Sequence, residues 1–354
     1  MNFKHRGNPL FDDLENIIEH TQDIWGSMHN ARIFITGGTG SFGCWLLESF
    51  AWANDKFKLN AKVLVLTRNI ESFVKKVPHL ANNLSIDFYE GDVINFKFPD
   101  FKFTHIIHAA TDTSGKLKKE NPILMFDTIV KGTRRVLDFA VFCEAKKMLY
   151  ISSGAIYGKQ PFDITHLSED FNGSPDVLNS SYTYGTGKRV AEHLCSLYSK
   201  KFNFEIKIAR CFAFVGPYFP LDSHYAIGNF IGNGFNGDTI NVKGDGTPYR
   251  SYLYASDLAI WLWTILINGK TCYPYNVGSD KDLTIATLAD TVANIFKTPL
   301  KVKISKLSKK NDKAERYVPS IDRAKKELGL NVNINLEKAI KKTINWHKNF
   351  NNES

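Results

Sequence analysis

The sequence predicts an α/β protein, a doubly wound parallel sheet with a smaller C-terminal lobe, and three features carry that prediction. Short apolar runs recur at 33–35, 63–66, 106–110, 148–151 and 206–209. Most are separated by segments long enough for a crossover helix, and strands without polar alternation belong to a sheet covered on both faces. The first run leads straight into a glycine-rich turn and an apolar helix.

The elements follow in order. Residues 8–25 place Phe11, Leu14, Ile17, Ile18, Ile24 and Trp25 at spacings of three and four, which predicts a helix docked by one apolar stripe. From Ala31 to Arg210 strand and helix patterns alternate. Beyond Arg210 come aromatic-rich loops at 212–225 and 232–254, then smaller strand and helix pieces. The expected organisation is an N-terminal helical extension over 1–30 and a dinucleotide-binding unit over 31–211, taking in part of 239–265. Residues 212–354 would form most of a substrate lobe.

Composition narrows the class. A chain of 354 residues with 43% apolar residues and 24 glycines against 12 prolines is globular, which excludes disordered, collagen-like and disulfide-framework proteins. Cys44, Cys143, Cys195, Cys211 and Cys272 are odd in number and form no CxxC pair, so they read as reduced thiols and offer no zinc site. No apolar run approaches the length of a membrane span, and Asp12, Asp13, Glu15 and Glu19 interrupt any signal-peptide core. The reading is a soluble cytoplasmic protein. The net charge of +9 is concentrated in 301–350, where 14 Lys and Arg meet five Asp and Glu. Those lysines sit singly among apolar residues, as on a solvated face, so no nucleic-acid partner is expected. A phosphate-bearing small substrate would be steered by the same charge.

The turn Thr36-Gly37-Gly38-Thr39-Gly40-Ser41-Phe42-Gly43 lies between a strand and a helix. Its glycines permit a tight turn, a close approach of backbone to a pyrophosphate, and close helix packing. The helix N-terminus then offers free N–H groups to phosphate. This context predicts dinucleotide binding. At the end of the second strand, Leu66-Thr67-Arg68-Asn69 contains no carboxylate for a ribose, whereas Arg68 could grip a 2′-phosphate. NADP(H) is therefore favoured and NAD(H) stays open, the plain alternative for Arg68 being a surface arginine. Asp92, in Gly91-Asp92-Val93, is a candidate for the adenine amino group or an ordinary turn aspartate.

Ser152-Ser153-Gly154-Ala155-Ile156-Tyr157-Gly158 follows the fifth strand, and Tyr184 and Lys188 come later, four residues apart on one helix face. A phenol titrates near 10, but an ammonium and an oxidised nicotinamide would both pull it down. Tyr184 is then the expected acid/base, Lys188 its cation and ribose ligand, and Ser153 the hydrogen-bond partner of the reacting oxygen. His108, ending the fourth strand, reads as a packed or backbone-bonding histidine.

The segments TGGTGSFG, GDV, HAA, SSGAIYG and YGTGK, in that order, resemble the extended short-chain dehydrogenase/reductase family, in its nucleotide-sugar epimerase/dehydratase branch. The resemblance runs from about Ala31 to Leu330. It implies a Rossmann-type sheet with a smaller substrate-binding lobe, and a homodimer formed through the helix of Tyr184 and Lys188. It also implies cofactor contacts from Gly37, Thr39, Gly40, Ser41, Phe42, Gly43, Asp92, Val93, Ala109 and Ala110. A nucleotide-diphosphate sugar would meet Thr111 and Ser114 in a polar loop, Ser153, Arg250 in the GDG…R…Y segment, and Arg316 in the segment closing the nucleotide pocket.

Departures from the branch are informative. Its 4,6-dehydratases carry an Asp-Glu pair after the catalytic Ser or Thr, where this chain has Gly154 and Ala155. Its uronic-acid decarboxylases place a Glu where Ala155 stands. Ala213 replaces a diphosphate-binding Asn, and Lys310 an Arg. What remains is redox at one sugar carbon: NADPH-dependent reduction of a 4-keto sugar, or 4-epimerisation with retained NAD. A dehydrogenase working in reverse, a 4,6-dehydratase using a different acid and base, and a non-catalytic dinucleotide- or RNA-binding relative are the further alternatives.

Overall fold

The computed structural model describes residues 8–111, 120–222, 225–296, 298, 300–307 and 313–351. Its centre is one sheet of seven strands: β1 (Arg32–Thr36), β2 (Lys62–Thr67), β3 (Ile86–Glu90), β4 (His105–His108), β5 (Lys147–Ser153), β6 (Glu205–Cys211) and β11 (Pro274–Val277). The spatial order is β11-β6-β5-β4-β1-β2-β3, with every neighbouring pair parallel. The order reverses between β1 and β4. In an open α/β sheet that is where a crevice opens beyond the carboxyl ends of the strands.

Side chains alternate between the faces, so Ile33 and Ile35 join one core while Phe34 joins the other. On Phe34's side lie α5 (Pro122–Phe142) and α6 (Thr183–Phe202). The opposite face is covered by α2 (Ser41–Phe57) and α8 (Ala255–Asn268). Residues 255–267 of α8 are all buried, which fits an apolar helix sealed between layers. The chain therefore returns to the large sheet through α8 and β11 after visiting the smaller lobe. Two short helices, α3 (Ile70–Lys76) and α4 (Pro78–Ala81), lead from β2 to β3.

The N-terminal stripe forms α1 (Phe11–Trp25), docked on the main body as the spacing predicts. It packs on α2 and α8 rather than on the sheet, with the Trp25 ring 5.1 Å from that of Trp263. Buried Asp13 accepts from the Tyr254 hydroxyl at 2.9 Å and pairs with Lys342 at 3.2 Å, which ties this helix to the C-terminal one.

The smaller lobe contains α7 (Ala226–Asn236), α9 (Ile285–Ile295) and α11 (Leu336–Asn351) around its own apolar cluster, while α10 (Asp322–Leu328) packs by β11. Three small sheets complete it. β7 (Phe214–Val215) pairs with β10 (Leu253–Tyr254), and β8 (Ile240–Val242) with β13 (Val302–Ile304). β9 (Tyr249–Arg250) lies between β12 (Leu283–Thr284) and β14 (Arg316–Tyr317). Among the described residues no helix is long and apolar enough to cross a membrane, and no cluster of His, Cys, Asp and Glu could hold a metal.

Candidate active site

The glycine-rich turn sits at the carboxyl end of β1, inside the crevice. Gly37 has φ +73°, and a Cβ there would lie 2.6 Å from the Ala109–Ala110 backbone, so only glycine fits. In the first turn of α2, a Cβ on Gly43 would lie 2.3 Å from the Gly38 backbone. At Gly40 a Cβ would meet nothing closer than the Gly37 carbonyl, at 3.4 Å, and no side chain caps α2. The result is an open cradle at a bare helix N-terminus, with the shape and dipole suited to a pyrophosphate. The Ser41 hydroxyl donates to the Tyr218 carbonyl at 2.9 Å, and Phe42 packs edge-on to Phe214. Both side chains are turned to the 214–219 loop, which leaves their backbone for an anion. Thr39 is half-buried beside them.

The flanking strand ends line up with the turn. Arg68 is exposed at the end of β2 and forms no ion pair among the described residues. Asp92 accepts from the Ile94 N–H at 2.9 Å and so shapes its own turn, while Val93 is buried against Gly132. Thr111 donates to the Ala110 carbonyl. Asp112, Thr113, Ser114 and Lys310 lie outside the described residues. His108 bonds Thr36 Oγ1 at 2.7 Å and Thr133 Oγ1 at 3.0 Å through its two ring nitrogens. Burial, aided by the Lys188 charge, lowers its pKa to about 3. It is a packed histidine joining β1, β4 and α5, with side-chain hydroxyls rather than backbone as partners.

The structure brings Ser153, Tyr184 and Lys188 together. Ser153 ends β5, and its Oγ accepts from the Ala155 N–H at 3.2 Å. Lys188 is 2% exposed; its Nζ donates to the Ile151 carbonyl at 2.7 Å and lies 5.9 Å from the Tyr184 ring centre. Burial lowers its pKa to about 8. For Tyr184 the balance in the protein alone runs opposite to the expected one. Burial raises the phenol's pKa, and the group that pulls it down is the Ser153 hydroxyl rather than the lysine. The phenol is therefore protonated at neutral pH.

Several contributors were not read from the sequence. Glu192, one turn beyond Lys188, accepts from the Ser152 hydroxyl at 2.5 Å and pairs with Arg210 at 2.8 Å. Arg210 also donates to the Tyr157 hydroxyl at 2.9 Å, which in turn donates to Asn276 Oδ1. The helical spacing from Lys188 was the available signal for Glu192. The sequence offers Tyr317 only as part of the segment closing the nucleotide pocket; burial raises its phenol, and the Ser153 hydroxyl pulls it down as it does Tyr184. The Tyr317 ring packs on Phe212, centroids 4.7 Å apart, and that ring fills the space at Gly154: a Cβ there would meet Phe212 at 2.6 Å. The positions after Ser153 thus present an aromatic wall and a methyl group, with no proton-carrying side chain.

On the lobe side, β9 and β14 pair so that Tyr317 is opposite Arg250. Arg250 donates to the Tyr249 carbonyl at 2.8 Å and forms no ion pair among the described residues. Arg316 is bound by Asp282 at 2.6 Å and stacks 3.9 Å from the Tyr249 ring centre, so an incoming anion would have to compete with a carboxylate.

Comparison with known proteins agrees with this architecture. The NAD dependent epimerase/dehydratase family model matches residues 33–278. UDP-glucuronic acid decarboxylase 6 of Arabidopsis thaliana is 29% identical over 312 residues, 88% of this chain and 87% of the relative. Among solved structures, a UDP-N-acetylglucosamine 4-epimerase from Methanobrevibacter ruminantium, in complex with UDP-N-acetylmuramic acid, superposes with TM-score 0.79 at 18% identity, covering 91% of this chain and 100% of that one. A UDP-glucuronic acid 4-epimerase from Bacillus cereus, in complex with UDP-glucuronic acid and NAD, gives 0.76 at 20% identity, covering 90% and 99%.

Proposed function

The chain belongs to the NAD-dependent epimerase/dehydratase family of extended short-chain dehydrogenases/reductases, and we propose that it reduces a nucleotide-linked 4-keto sugar with NADPH. The observation that carries this reading is the wall after Ser153. Gly154, held bare by Phe212, and Ala155 leave no side chain to expel water or assist loss of a carboxylate. That separates this chain from the decarboxylases it resembles in sequence, and it leaves redox at the carbon facing Tyr184.

The dinucleotide, when bound, supplies hydride. The cradle of Gly37, Gly40 and Gly43 would hold its pyrophosphate, Arg68 a 2′-phosphate, and Asp92 its adenine. Tyr184 gives its proton to the reacting oxygen while Ser153 donates to that same oxygen. Lys188, anchored on the Ile151 carbonyl, places a positive charge beside the phenolate left behind. The guanidinium of Arg250, in no ion pair among the described residues, is the proposed contact to the substrate diphosphate. A homodimer would bury the outer faces of α5 and α6, where Leu124, Val190, Leu197 and Phe202 are exposed.

The test is to denature the purified protein and identify any released dinucleotide by mass. An empty site that takes NADPH in preference to NADH, followed by turnover on 4-keto nucleotide sugars, is the expected result. Tightly retained NAD would overturn the role given to Arg68 and favour a 4-epimerase that recycles its own hydride.

A further inference from the structure

The ammonium of Lys188 is almost wholly buried, so protein groups must replace the water it gives up. It has three N–H donors and no acceptor. One donor goes to the Ile151 carbonyl at 2.7 Å. The aromatic face nearer to the cation is not that of Tyr184. Lys188 Nζ lies over the ring of Tyr150, 4.9 Å from its centre, against 5.9 Å for the ring of Tyr184.

Tyr150 stands in the middle of β5, next to Ile151, so the carbonyl and the ring come from adjoining positions of one strand. It is fully buried and sits opposite His108 on β4 and Ile208 on β6. The His108 ring lies 5.6 Å from that of Tyr150 and is bonded at both nitrogens, to Thr36 and Thr133, so it braces the tyrosine. Burial pushes the Tyr150 phenol well above its ordinary value, and the cation therefore meets a neutral ring through its negative π face. The other groups facing Lys188 offer less. His108 is uncharged, and burial keeps the thiols of Cys195 on the same helix and Cys211 on β6 protonated. Glu192, one turn along, is committed to Arg210.

We propose that Tyr150 is a positioning residue: its ring face, with the Ile151 carbonyl, holds the Lys188 ammonium in place and charged, and leaves an N–H donor to serve the crevice. The Tyr150 hydroxyl has no part in this, so a phenyl ring would do as well. Without a π face the burial of the cation is offset less, and Lys188 gives up its proton at a lower pH.

The inference deepens the reading that Lys188 serves Tyr184, and the experiment keeps the two apart. Lys188 is titrated by NMR in the full chain, isotope-labelled at the lysine Cε carbons, its resonance being the one lost in Lys188→Met. Tyr150→Phe is expected to leave the titration step where the parent has it, and Tyr150→Leu to move it down by about one pH unit. Tyr150→Met is the second variant without a π face, should the first fail to fold. A step that stays in place in either folded variant overturns the proposal and makes Tyr150 a packing residue only. So does a step that moves as far in Tyr150→Phe. The alkaline limb of turnover is then followed in the same variants. A limb that moves with the step supports both readings; a step that moves while the limb stays upholds the role of Tyr150 and overturns the one given to Lys188 in the reaction.

Discussion

Ser152 and Ser153 end the same strand and project to opposite faces, Ser152 into a cluster of charges and Ser153 into a cluster of phenols. Around Ser152, Glu192 and Arg210 form a buried ion pair that reaches Tyr157 and Asn276. Each member has a hydrogen-bond partner within the network. Around Ser153, burial raises the phenols of Tyr184 and Tyr317, and the serine hydroxyl pulls both of them down. The contrast teaches what each side is for. A saturated ion-pair network fixes the register of α6 on β5 and β6, whereas neutral hydroxyls at the crevice can pass or direct a proton. Substitutions on the Ser152 side should therefore register as stability, and those on the Ser153 side as turnover.

The largest effect expected is Tyr184→Phe. It removes the group proposed to protonate the reacting oxygen while keeping the ring, so kcat should fall by about a thousandfold with dinucleotide affinity nearly unchanged. Steady-state turnover alongside equilibrium binding measures both. Surviving turnover would mean that the phenol cluster is not the reactive side. Glu192→Ala is the matching break on the other side. It strands Arg210 in a site where the pair is almost wholly buried, and should cost about 3–5 kcal/mol in denaturant unfolding. If that variant unfolds like the parent but turns over poorly, the division between the two serines is wrong.

Legibility in the sequence followed the same division. Residues supplied by one strand and the next helix were readable: the glycine turn, the Ser-Ser strand end, and Tyr184 with Lys188 all lie in short, ordered segments. Helix α1 was readable because its stripe is periodic. Tyr317 was not, because a two-residue strand from the far end of the chain delivers it, and no local pattern reports which residue faces Ser153. Phe212 reads as one aromatic among many until the bare Gly154 shows what it abuts. The expected depression of Tyr184 draws also on the charge of an oxidised nicotinamide; in the protein alone burial prevails, for a physical reason. Lys188 is spent on the Ile151 carbonyl and is itself desolvated, so burial dominates both groups.

Lys188 adds a pH test of the same contrast. Burial lowers its pKa to about 8, so its ammonium is present below that value and lost as pH rises through it. Turnover that depends on the ammonium should then decline about tenfold per pH unit above about 8. Lys188→Arg, which stays charged, should flatten that alkaline limb even where its overall rate is lower. An unchanged limb in Lys188→Arg would assign the titration to another group.

The smallest effect separates the two serines most directly. Ser152→Ala removes one donor from Glu192 but leaves the Arg210 pair intact, with three guanidinium contacts to the carboxylate still in place. The loss should be about 1 kcal/mol in unfolding free energy, with kcat within about twofold of the parent. Ser153→Ala should do the reverse, hardly moving the unfolding midpoint while lowering kcat. Paired chemical denaturation and turnover on the two variants decide it, since both delete the same hydroxyl from the same strand end. If the two behaved alike, the phenols beside Ser153 would be packing partners like the rest of the core.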